Sequence, residues 1–141
     1  MIKQLSVFVQ NEIGSLAGVT SVLKSNHINL RAIASFDTPE FAILRMVVDQ
    51  PENAKKLLTE CGFAVKMTEA VAVELLDKPG ELDGMLHVIA EAEIGINYIY
   101  SIVLRNGKAP LMIVNTDDLD KTTSVLKEKG YIVAEQEDIV S

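Results

Sequence analysis

The sequence predicts an α+β protein made of two tandem βαββαβ units, each an antiparallel sheet with its helices on one face. Three observations carry this reading. A turn hexapeptide recurs, Asn11-Glu12-Ile13-Gly14-Ser15-Leu16 being matched by Asp77-Lys78-Pro79-Gly80-Glu81-Leu82, with the two glycines 66 positions apart. An alternating apolar run precedes each copy, and a helical apolar stripe follows it.

The first strand carries Leu5, Val7 and Val9 on one face, and Val71, Val73 and Leu75 repeat the pattern. The helix after Gly14 places Leu16, Val19 and Leu23 on one stripe. Its counterpart after Gly80 places Leu82, Met85, Leu86, Ile89 and Ala90 at i, i+3, i+4, i+7 and i+8. A second strand is expected over Asn29–Phe36 and again over Asn97–Val103. A third covers Phe41–Val48, answered by Leu111–Asn115. Between them, Asp37-Thr38-Pro39-Glu40 and Arg105-Asn106-Gly107-Lys108 have turn chemistry and predict hairpins.

The second helix starts near Pro51, a residue suited to a first turn, carries Ala54, Leu57, Leu58 and Cys61, and stops at Gly62. Asp117-Asp118 opens its counterpart, which carries Val125 and Leu126 and stops at Gly130. Short last strands follow at Phe63–Met67 and Tyr131–Ala134. The order is the ferredoxin-like β-α-β-β-α-β, twice. Past the first helix the matching offset becomes 68, with His27-Ile28-Asn29 set against Gly95-Ile96-Asn97 and Cys61-Gly62-Phe63 against Lys129-Gly130-Tyr131. A two-residue insertion in that helix is the expected cause. The domains are then 1–67 and 68–141, with Met67-Thr68 passing into the next strand and no linker to free their mutual orientation.

Composition fits a folded chain, with 48% hydrophobic and 23% charged residues among 141. No apolar run reaches the roughly 18 to 20 residues that span a bilayer, and no secretory signal is read, so a cytoplasmic protein is expected. Cys61 stands alone and makes no internal disulfide. The net charge of −7 argues against a nucleic-acid partner, which needs clustered Lys and Arg. Residues 1–67 carry +1 and residues 68–141 carry −8, read as a solvated acidic face before an acidic docking surface.

The turn between first strand and first helix is where chemistry is expected. A glycine there permits close backbone approach, and the helix start presents unpaired N–H groups that suit a carboxylate. Asn11 or Asp77, three residues before each glycine, accepts hydrogen bonds and suits an ammonium group. The plainer reading is a closed turn, stiffened by Pro79 in the second copy.

Asp77-Lys78-Pro79-Gly80-Glu81-Leu82, then a helix, then Gly95-Ile96-Asn97, resembles the ACT domain family of amino-acid sensors, twice over essentially the whole chain. The resemblance implies two domains packed side by side, with an amino acid held at their interface. The strand-helix loop of one domain and an asparagine at the start of the other's second strand would contact it. Carried onto this chain, the loops are Asn11, Glu12, Ile13, Gly14, Ser15 and Leu16, and Asp77, Lys78, Pro79, Gly80, Glu81 and Leu82. The asparagines are Asn29 and Asn97, so that Asn11 works with Asn97 and Asp77 with Asn29. The first loop departs from the commoner pattern, having Asn11 for Asp and Ile13 for Pro, which leaves it less stiff and position 11 uncharged.

Other residues offer little chemistry. His27 and His87 have no ligands at metal spacing, so no metal is expected. Cys61 reads as a packed thiol. Gly14-Ser15-Leu16-Ala17-Gly18 fails the order of a nucleophile elbow. Tyr98 and Tyr100 share one strand face, read as core before pocket or seam. No acid, base or nucleophile set converges, and neither catalysis nor a cofactor is expected. The expectation is a regulatory protein that binds a free amino acid or close analogue, forms a homodimer and acts in trans on a partner enzyme or pathway. The alternative is an interaction module of the same fold that binds no ligand.

Overall fold

The computed structural model of the chain describes residues 1–102 and 109–140. These fall into two compact units, Lys3–Thr68 and a second made of Met1–Ile2 with Glu69–Ile139. The expected turn Arg105-Asn106-Gly107-Lys108 and the strand end at Val103 lie outside the described residues.

The first unit holds strand β1 (Ile2–Gln10), helix α1 (Ser15–Ser25), strands β2 (Leu30–Asp37) and β3 (Phe41–Val48), helix α2 (Pro51–Glu60) and the start of strand β4 (Ala64–Glu74). β3 pairs antiparallel with both β1 and β2, in a register that sets Leu44 beside Val7 on one side and Ser35 on the other. Side chains alternate across a strand. Leu5, Val7 and Val9 therefore share a face with Leu44 and Met46, and Val19, Leu23, Ala54 and Leu58 from the helices close the core over them.

The second unit continues with helix α3 (Glu81–Glu91), strands β5 (Ile96–Ile102) and β6 (Leu111–Thr116), helix α4 (Leu119–Glu128), strand β7 (Ile132–Ala134) and helix α5 (Gln136–Val140). β6 pairs antiparallel with β4 and β5, and β7 pairs with β4. Val71, Val73 and Leu75 pack with Met85, Ile89, Val114 and Leu126. Each fully buried side chain of this size contributes about 1.5–3 kcal/mol.

Helices α1 to α4 end in the same way. The N–H two residues past the cap returns to the carbonyl five positions earlier, as in Ile28 to Leu23, Phe63 to Leu58, Ile94 to Ile89 and Tyr131 to Leu126. The left-handed residue of each motif is His27, Gly62, Glu93 or Gly130. Gly62 and Gly130 are legible stops. His27 and Glu93 are not, because their side chains tolerate that conformation only uncommonly.

This corrects the expected alignment of the copies. α1 and α3 have equal lengths, and their left-handed caps His27 and Glu93 stand 66 apart, so no insertion lies in the helix. Leu30 pairs with Val48 and Ile96 with Thr116, and Ser35 with Leu44 as Ser101 with Met112, which puts the two extra residues in the sequence between Ser101 and Met112. Asn29 therefore corresponds to Gly95. Asn97 corresponds to Arg31, each falling at the register shift that opens its strand.

Other expectations also change. The strands expected at Phe63–Met67 and from Val71 are one continuous strand, β4, because nothing in Ala64–Glu74 is a glycine or proline that would break it. Leu16, Leu82 and Ala90 lie outside the cores, and the fully buried residues of α1 and α3 reduce to Val19 with Leu23 and Met85 with Ile89. α5 is an additional helix, whose Asp138 carboxylate accepts the Glu135 N–H at 2.8 Å while Ile139 is buried. No helix among the described residues is long and apolar enough to cross a membrane.

Candidate functional site

The two strand-helix loops fold alike, bond for bond. Glu12 N–H meets the Gln10 carbonyl at 2.8 Å and Lys78 N–H the Leu76 carbonyl at 2.9 Å. Ser15 donates to Glu12 and Glu81 to Lys78, and the first helical bonds run from Gly18 to Gly14 and from Gly84 to Gly80. The helix caps Gly14 and Gly80 sit at φ +86° and +89°, a left-handed conformation that glycine adopts without penalty. Among the described residues no side chain caps either helix. The N–H groups of Leu16 and Ala17, and of Leu82 and Asp83, are therefore directed out of the helix starts.

The loops differ in charge and anchoring. Asn11 ties the first loop to the β2–β3 hairpin, its Nδ2 donating to the Thr38 carbonyl at 3.4 Å and its backbone N–H to the Glu40 carbonyl at 3.5 Å. Lys78 pairs with Glu81 at 3.5 Å in the second loop. α1 has no acidic residue in its first turn, whereas α3 has Glu81 and Asp83. The start of α1 therefore keeps more of its positive dipole potential than that of α3. Ile13 is fully exposed, and Leu16 and Leu82 are 39% and 37% exposed, so none of the three belongs to a core.

The second loop roofs a cavity of about 190 Å³. Val73 and Ser101 both pair with Met112, and Leu75 follows Val73 on the same face, so the cavity floor lies on the helix-facing side of the sheet. Leu75, Met112 and Ser101 line it together with Leu111, Pro110, Leu76 and Leu82, and Asp77, Lys78 and Glu81 bring charge to its rim. The sequence reading missed Ser101, Pro110 and Met112. A signal existed, since Ser101 is a small polar residue on the strand face opposite Tyr98 and Tyr100, the face that the helices cover. On the β7 side of β4, a second hollow of about 250 Å³ is lined by Glu74, Glu81, Lys129 and Tyr131 among others.

The asparagines lie elsewhere. β1 ends beside Phe41 while β2 begins beside Val48, so Asn29 and its own unit's loop stand at opposite ends of β3, roughly 23 Å apart along the strand. The same geometry separates Asn97 from the loop at Asp77, because β4 ends beside Leu111 and β5 begins beside Thr116. Asn29 N–H donates to the Asp49 carboxylate at 3.0 Å. Asn97 Nδ2 donates to Asn115 Oδ1 at 2.9 Å, and Asn115 Nδ2 donates to the Glu69 carbonyl at 3.2 Å. Neither unit brings its own loop and asparagine together.

The remaining candidates have structural explanations. His27 is the left-handed cap of α1. His87 Nδ1 lies 2.9 Å from the Asp83 carbonyl, and that bond, with the Asp83 charge, raises its pKa above the ordinary 6.5. Cys61 is exposed rather than packed, because α2 ends just before it and the Gly62 turn brings Phe63, not the thiol, against the core. Tyr98 and Tyr100 stack with ring centroids 6.3 Å apart on the face away from α3, outside the helix-covered core. Among the described residues no group of three or more His, Cys, Asp or Glu is placed to hold a metal ion.

A model of a family described as an ACT domain pair matches residues 1–141. Protein BT0572 from Bacteroides thetaiotaomicron has a similar structure, with 34% identity, a TM-score of 0.91, and coverage of 99% of this chain and 96% of that one. The regulatory subunit of aspartate kinase from Thermus thermophilus shares the fold at 15% identity, with a TM-score of 0.62 over 91% of this chain and 92% of that one. The corresponding Thermus flavus subunit does so at 13% identity, with a TM-score of 0.58 over 89% and 90%. A comparison with curated proteins found no match.

Proposed function

This chain belongs to the ACT domain family as a domain pair, and on that premise we propose that it binds a free amino acid at its strand-helix loops and regulates a partner in trans. The observation that carries the proposal is the cavity beneath Asp77–Leu82, bounded by an uncapped helix start, a carboxylate at Asp77 and an ammonium at Lys78. A zwitterion presents the complementary charges. Its carboxylate meets Lys78 and the N–H groups of Leu82 and Asp83, and its ammonium meets Asp77. Lys78 is the exposed member of its 3.5 Å pair with Glu81, and so weak a pair lets its ammonium turn to the ligand. Asn29 and Asn97 enter this reading as contributions from another βαββαβ unit, since their own loops are out of reach.

Regulation requires only that the ligand favour one arrangement of the protein over another. We read the protein as a homodimer, because Phe8 and Phe41 stand about 40% exposed on the sheet face away from the first core. The same face supports the second reading, an interaction module without a ligand. Titration calorimetry of the full chain against the standard amino acids and their 2-keto acids separates the two. Binding of an amino acid, its loss for the keto acid that lacks the ammonium, and at least roughly tenfold weakening in Asp77→Ala are expected. Silence for every compound, with a dimer intact by ultracentrifugation, leaves the second reading.

A further inference from the structure

We infer that the second loop selects an amino acid with an aliphatic or thioether side chain, and that Ser101 sets how large that side chain is. The inference rests on the reading of this loop as an amino-acid site. The charges near the cavity, on Asp77, Lys78 and Glu81, all belong to the loop and the first turn of α3; the ligand's ammonium and carboxylate engage Asp77 and Lys78, and Glu81 stays at the rim beside Lys78. Below them, on the helix-facing side of the sheet, the hollow is bounded by Leu75, Met112, Ser101 and the underside of Leu82. A charged side chain directed there gives up part of its water for contacts with Leu75, Met112 and Leu82, none of which carries a counter-charge. An apolar one gains with each methylene it hides.

Size narrows the class further. At about 190 Å³ the cavity is smaller than the roughly 300–1,000 Å³ pockets that take drug-sized ligands. The first unit differs at the matching place. There Leu44 pairs with Ser35 as Met112 pairs with Ser101, and Leu44 is fully buried whereas Met112 is only partly so. Met112 is thus left partly uncovered at the place where a ligand side chain would pack against it.

Two substitutions move the cavity in opposite directions at exposed positions, so neither requires a repacked core. Ser101→Leu fills the floor, and Leu82→Ala lifts the roof. Titration of the wild-type chain is expected to rank leucine, isoleucine, valine and methionine above alanine, with leucine tighter than alanine by roughly 10- to 100-fold. Ser101→Leu is expected to remove that preference while alanine still binds, and Leu82→Ala to shift it toward phenylalanine, with thermal unfolding of each variant showing an intact fold. Serine, glutamate or lysine binding as tightly as leucine, unaffected by Ser101→Leu, overturns this inference and leaves the amino-acid reading standing. Failure of every amino acid overturns both.

Discussion

The Tyr131 hydroxyl oxygen lies 2.9 Å from the point where a Cβ on Gly84 would stand, in the first turns of α3. The corresponding place in the first unit is Gly18, whose nearest neighbour is the Phe63 ring edge at 3.6 Å, an ordinary contact. Both glycines are helical, and replacing either by alanine gains about 1 kcal/mol of helix propensity. Gly18→Ala is therefore expected to raise stability by roughly that amount. Gly84→Ala gives the gain back by displacing the tyrosine, and the double variant Gly84→Ala with Tyr131→Phe recovers it. Urea unfolding of the three variants checks the cycle, and additivity in the double variant would remove the contact as the cause.

The Thr116 and Thr122 hydroxyls lie 2.7 Å apart in the buried interior of the second unit. Thr122 Oγ1 also donates to the Asp118 carbonyl at 2.7 Å, so Thr116 is the donor between the two hydroxyls. Thr116→Val leaves Thr122 with its carbonyl partner. Thr122→Val strands the Thr116 hydroxyl, and an unmet buried polar group costs about 1–3 kcal/mol. The second substitution is expected to be the more destabilising in denaturant unfolding, and equal losses would contradict this direction of donation.

At Gly14 and Gly80 a side chain meets nothing within 4 Å, so the objection to one is conformational alone. Left-handed backbone costs an L-residue about 1–2 kcal/mol, offset in part by lower entropy of the unfolded chain. Gly80→Ala is expected to lose about 1 kcal/mol of stability and Gly80→Asn less, since asparagine enters this region more readily. Under the proposed function Gly80→Ala also weakens ligand binding by turning the loop N–H groups. Calorimetry and thermal unfolding on one preparation read both effects.

Elements whose cause is local were legible in the sequence. Pro51 at a first turn, Gly62 and Gly130 as stops and the strand over Phe41–Val48 all coincide with what the structure forms. What was not legible depends on residues acting against their type or on register. His27 and Glu93 do the work of glycine at helix ends, and without them the copies misalign and Asn29 is matched to Asn97 instead of Gly95. Ser101 and Met112 meet across two strands, a pairing that only the β5–β6 register supplies. The loops stood out because their glycines repeat, whereas the cavity beneath the second is assembled from residues far apart in the chain.

His87 offers a test of α3 by pH. Its ring nitrogen hydrogen-bonds the Asp83 carbonyl first of all, the Asp83 carboxylate adds charge, Glu91 adds a little more, and together they hold the pKa above the ordinary 6.5. A raised pKa means that the protonated ring binds the folded helix better than the unfolded chain. The stabilisation is therefore complete below pH 6.5 and is lost as the pH rises through the folded value. Asp83→Asn keeps the carbonyl and removes the charge, so the His87 midpoint, followed by NMR, is expected to fall only part of the way to 6.5. A fall all the way would show that the carbonyl bond is not formed in solution and that the carboxylate alone holds the proton. Added salt distinguishes the two contributions, since it screens the exposed carboxylate and leaves the short bond to the backbone largely intact.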